Sequence, residues 1–135
     1  MHWTDIPTPV LDLLRAGTVI PAHPLALGEG SAMDTVRQRA LTRYYVDAGV
    51  GGLAVGVHTT QFEIREHGLY DTVLAACAEA ASDWTDRPLV QIAGLVGRTE
   101  QACKEARIAR ALGYHAGLLS LAALKGSSID ELIAH

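Results

Sequence analysis

Two kinds of apolar run alternate along the chain. The first kind is short and apolar at nearly every position: TVIPAH at residues 18–23, GLAVGV at 52–57, LVQIAGL at 89–95 and AGLLSLAAL at 116–124. The second kind recurs with a helical period. Val36, Ala40, Leu41, Tyr44 and Ala48 form one such stripe, with Arg37, Arg39, Arg43 and Asp47 falling largely on other faces. Tyr70, Val73, Leu74, Cys77, Ala81 and Trp84 form a second, which the DRP at 86–88 stops. Ala102, Ala106 and Ala109 give a third helix a small-residue face suited to close packing on a sheet. A short helix around residues 10–15 precedes them all.

The punctuation between these runs agrees with their periods. Gly49 and Gly113 sit where left-handed C-terminal caps belong. Thr99 reads as the N-cap of the third helix, and Ser128 with Glu131 three residues on reads as a capping box for a fourth. Strands apolar on both faces, alternating with amphipathic helices, predict parallel βα units. The four strand starts lie about 27 to 37 residues apart, near one unit each.

No linker, low-complexity segment or charge block divides the chain, so residues 1–135 are read as a single domain. Four units suit either a small doubly wound sheet or half of an eight-stranded barrel, which takes about 250 residues in full. The length, and a last helix cut short at His135, favour the second. The expected fold is therefore α/β, a (β/α)8 TIM barrel of which this chain supplies the first four units.

Composition narrows the setting. The 135 residues carry a net charge of -4, with 49% hydrophobic and 19% charged positions. That balance argues against disorder, and the acidic charge against nucleic acid or an anionic membrane as a partner. No apolar run approaches the roughly 20 residues of a membrane span. Cys77 and Cys103 are isolated thiols in helical patterns, which suits a reducing compartment; a cytoplasmic protein is expected.

Chemistry in such folds gathers at the C-terminal ends of the strands. The order of elements delivers His23 and Pro24, residues 58–61, residues 94–98 and residues 120–125 to that end. Thr59 and Thr60 follow a buried strand, and their hydroxyls with the backbone N–H groups of a turn suit a carboxylate or phosphate. The plainer alternative is that they cap a strand. His58, with an ordinary pKa near neutrality, suits acid–base work, and His23 is expected over the same mouth as a substrate-binding residue. A metal held by His23 and His58 is a further alternative, although no HExxH, CxxC or carboxylate cluster accompanies them. Gly94, Gly97 and Arg98 fit neither common phosphate-loop pattern. Lys104 falls mid-helix among Glu100, Glu105 and Arg107, a solvated setting, and Lys125 sits on a loop.

With strand order and the threonine pair in hand, the chain resembles the N-terminal half of the dihydrodipicolinate synthase and N-acetylneuraminate lyase family of class I aldolases. GTVIPAHPLAL is similar to that family's opening strand. DAGVGGLAVGVHTTQFEI resembles its segment AG-x-x-G-L followed by G-T-T-G-E, and residues 87–124 parallel its third strand, Ala-rich helix and fourth strand.

The resemblance implies an eight-stranded barrel, a homo-oligomer (dimer or tetramer), no cofactor, and a lysine that forms a Schiff base with pyruvate or another 2-oxo acid. It assigns Thr59 and Thr60 to the substrate carboxylate and to a hydroxyl relay, which His58 is expected to alter, so that Thr59 and His58 are the expected catalytic residues of this chain. His58 stands where the family has Gly, Gln61 and Phe62 where it has Gly-Glu, and Ala123 and Leu124 where many members have two tyrosines. The Schiff-base lysine is expected beyond His135. A non-catalytic 2-oxo acid binding barrel is the alternative that keeps the cradle and loses turnover.

Overall fold

A computed structural model describes residues 3–58 and 62–135. Three short strands form one parallel sheet: β1 (Gly52–Val55), β2 (Val90–Leu95) and β3 (Ala116–Leu119), in the order β1-β2-β3. Between and around them run α1 (Thr8–Ala16), α2 (Thr35–Asp47), α3 (Tyr70–Trp84), α4 (Thr99–Ala111) and α5 (Ile129–Ala134). Each crossover carries a helix, as parallel pairing requires.

The expected first strand is reduced to a bridge. Ala22 pairs in parallel with Ala54, Gly51 N–H donates to Val19 O, Ala54 N–H to Pro21 O and His23 N–H to Ala54 O. Pro21 has no N–H to give, so a regular ladder cannot run through it. The last apolar run is also shorter as a strand than expected. β3 ends at Leu119, and Ala122–Leu124 coil into a 3-10 turn. An Ala- and Leu-rich segment with no partner strand on its far side has little to hold it extended.

Register fixes which side chains share a face. Ala22, Ala54, Ile92 and Ala116 are successive partners across the sheet and form one row of small and branched residues. The alternate positions Leu53, Val55 and Ala93 join the core with Val73 and Leu74 of α3 and Ala109 of α4. β3 is an edge of the sheet, and Leu118 on it is 52% exposed.

Helix α2 overturns its expected stripe. Val36 is 80% and Tyr44 66% exposed, while Gln38, Thr42 and Val46 are buried. The period is unchanged, but the phase is shifted by two residues. Two polar side chains turn inward because partners wait for them there, as described below. α3 follows expectation over most of its length, burying Tyr70, Val73, Leu74, Cys77, Ala80 and Ala81. Its final Trp84 instead lies partly exposed, donating from Nε1 to Asp47 Oδ1 at 2.7 Å beneath the guanidinium of Arg43.

In α4, Ala102 and Ala109 are buried as expected, Ala106 is exposed, and Glu105 is buried between them. Thr99 is the first residue of that helix, not its cap; Arg98 precedes it, and the Thr99 hydroxyl meets His135 Nδ1 at 2.8 Å. Ser128 and Glu131 make the expected capping box. Gly49 and Gly113 take the expected left-handed conformation, at φ 82° and 84°.

Candidate functional site

Because the strands are parallel, the residues that follow them emerge on one side. There the ends of β1 and β2 approach closely. A Cβ on Gly94 would fall on the carbonyl oxygen of Gly56, so only glycine fits. Just beyond this pinch, Val57, His58, Phe62, Leu118, Leu119 and Ser120 line a cavity of about 250 Å³. Its walls are mostly apolar, with the exposed His58 and the half-buried Ser120 as polar groups. Thr59 and Thr60, the expected carboxylate cradle, lie outside the described residues together with Gln61. Their sequence neighbours on both sides, His58 and Phe62, line this cavity.

His23 does not join them. It is 1% exposed and faces α2. Its Nε2 lies 2.9 Å from Thr42 Oγ1, and its Nδ1 lies 2.8 Å from Pro24 O and 2.9 Å from Gln38 Nε2. Either neutral tautomer therefore finds partners on both nitrogens. Gln38 extends the network, with Oε1 accepting from Ala26 N–H and Nε2 reaching Cys77 Sγ at 3.4 Å. Burial holds the imidazole pKa below its ordinary 6.5 and pushes the Cys77 thiol up to about 11.

The expectation that His23 stands at the mouth beside His58 is thus corrected. Its ring lies in a packed polar cluster against α2, away from the cavity that His58 lines. Among the described residues no group of three or more His, Cys, Asp or Glu converges as a metal site.

A second cluster was not foreseen. Arg65 and Glu105 form a two-pronged ion pair, Nε to Oε1 at 2.8 Å and Nη2 to Oε2 at 2.9 Å. Arg65 Nη2 also donates to Gly94 O at 2.9 Å, and Nη1 to Gly56 O at 3.4 Å. Glu105 accepts from Val96 N–H at 3.0 Å and from Gln101 Nε2 at 3.0 Å. Tyr70 packs under the guanidinium, donates its own O–H to Gly94 O, and has its pKa raised by burial. One signal was present in the sequence: Glu105 lies three residues after Ala102 and four before Ala109, a charge on the face expected to pack. Arg65, 40 positions away, gave none.

The two lysines, Lys104 and Lys125, are both exposed. Among the described residues no helix is long and apolar enough to cross a membrane.

No protein-family model matches this sequence, and no curated protein matches it. Solved structures do. The crystal structure of a proposed dihydrodipicolinate synthetase from Pseudomonas aeruginosa superposes with a TM-score of 0.66 at 17% identity, over 74% of this chain and 33% of that one. The crystal structure of dihydrodipicolinate synthase from Bacillus clausii gives 0.62 at 18% identity, over 74% and 32%. The fold is that of the dihydrodipicolinate synthases.

Those synthases are β/α barrels, and this chain spans about a third of their length, as part of one barrel. The parallel sheet with its helices is therefore a section of barrel wall. Helices lie outside the sheet in a barrel wall, so the row Ala22–Ala54–Ile92–Ala116, opposite the positions packed on α3 and α4, faces the barrel interior, and the cavity at His58 lies at the C-terminal ends of the strands.

Proposed function

We propose that this chain is part of a divergent carbon–carbon lyase or synthase of the dihydrodipicolinate synthase type, acting on a small 2-oxo acid such as pyruvate through a Schiff base. The observation that carries the proposal is the coincidence of a synthase-like fold with a cavity at the strand ends, flanked in sequence by the threonine pair.

In this reading Thr59 and Thr60 receive the substrate carboxylate through hydroxyl and backbone donors, and Thr59 with His58 moves protons at the mouth. The imine is formed by a lysine placed beyond residue 135, since Lys104 and Lys125 are both solvated. Such an amine adds to the 2-oxo carbon, water leaves to give a protonated imine, and loss of a C3 proton or cleavage of a bond from C3 to the next carbon gives an enamine, the C=N electron pair moving to nitrogen. The reaction needs no added cofactor. A homo-oligomeric, cytoplasmic protein completes the proposal.

The cradle is tested by Thr60→Val, nearly isosteric, in the full-length protein. Affinity for pyruvate measured by calorimetry is expected to fall by about 1 to 3 kcal/mol, because one ionised oxygen loses a donor. Unchanged affinity with unchanged stability returns Thr60 to a strand-capping role.

A further inference from the structure

The Arg65–Glu105 pair stands outside the chemistry just described, yet it is built into the mouth. The two side chains are 11% and 6% exposed. Stripping water from both charges offsets most of their attraction, so a buried pair of this kind is a weak source of stability. What it supplies is direction, because a guanidinium is a rigid planar fork.

Here the pair ties together backbone atoms at the ends of β1 and β2. Gly56 O belongs to the exit of β1, Gly94 O to β2, and Val96 N–H, bonded to Glu105, to the exit of β2. Gly56 lies two residues before His58, and Arg65 three residues after Phe62. The network therefore holds the exits of β1 and β2 together, close in sequence to His58. Arg65 also lines a second cavity of about 380 Å³ that shares Phe62 and Ser120 with the first.

We propose that Arg65 and Glu105 are positioning residues of the mouth, holding the exits of β1 and β2 together so that His58, two residues beyond Gly56, meets the ligand preset. The inference rests on the 2-oxo acid reading above for its ligand, but not for its geometry. Its mark is a loss of ligand affinity that does not follow stability.

The test uses the full-length protein and the variant Arg65→Met/Glu105→Leu, which removes both charges and keeps their volume. Replacing a buried pair by apolar groups is itself often near neutral, but here Val96 N–H loses its acceptor, which costs some stability. The melting midpoint is therefore expected to fall modestly with the variant still folded at the assay temperature, while pyruvate affinity falls tenfold or more and the His58 ring resonances shift. Amide exchange at Val57 and His58 is expected to speed up in parallel.

Parent-like affinity, ring resonances and exchange in a stable double variant would overturn the proposal and leave the pair purely structural. Should the double variant not fold, Arg65→Lys decides, since it keeps the charge and loses the fork. Weakened binding with shifted His58 resonances supports the clamp, and parent-like values sink it. If the parent itself binds no pyruvate, the 2-oxo acid reading fails, and the His58 resonances and exchange rates still decide the clamp.

Discussion

His23 shows how a single residue's role depends on what the fold places around it. In the sequence it ends an apolar run, as a ligand-binding residue at a strand tip would. In the fold its ring is taken up by Thr42, Gln38 and Pro24, residues that sequence spacing alone does not bring to it. Burial keeps the imidazole neutral, with its folded pKa below the ordinary 6.5. The unfolded chain thus takes up the proton first as pH falls. The stabilising contribution is full above about pH 6.5 and is lost as pH drops below it toward the folded value. His115, also lowered by burial, acts with the same sign. Melting midpoints are expected to decline between pH 7.5 and pH 5.5, with a shallower decline in His23→Gln. A midpoint indifferent to pH across that window in the parent would show that His23 is not held neutral.

At the scale of elements, the order of helices and strands was legible because apolar period and glycine punctuation both encode it. Gly49, Gly113 and the Ser128–Glu131 box fall where their local chemistry puts them. Phase was less legible than period. α2 carries apolar and polar residues at equal spacing, and only the presence of His23 and Cys77 opposite decides that Gln38 and Thr42 turn inward. Strand ends were misjudged where the backbone intervened, at Pro21 and after Leu119. The pinch between β1 and β2 belongs to the same scale. A methyl group at Gly94 meets the Gly56 carbonyl, which is backbone and cannot swing aside. Gly94→Ala is therefore expected to cost about 1 to 3 kcal/mol in denaturant unfolding, the usual cost of overpacking, or somewhat more. A value near zero would mean that the strand ends separate freely.

For the whole molecule, the barrel-type βα architecture could be read from sequence, since buried parallel strands and crossover helices leave a regular signature. The mouth could be read only in part. His58 was placed there by element order, whereas Arg65 and Glu105 meet across 40 positions and become visible only on folding. The central claim, that this barrel section serves Schiff-base chemistry on a 2-oxo acid, is tested most directly by borohydride reduction in the presence of pyruvate, followed by peptide mass mapping of the full-length protein. A single stoichiometric adduct is expected on a lysine C-terminal to His135, and none on Lys104 or Lys125. An adduct on Lys125 would contradict the placement of the catalytic centre, and the absence of any adduct across several 2-oxo acids would contradict the Schiff-base claim itself and favour a binding protein.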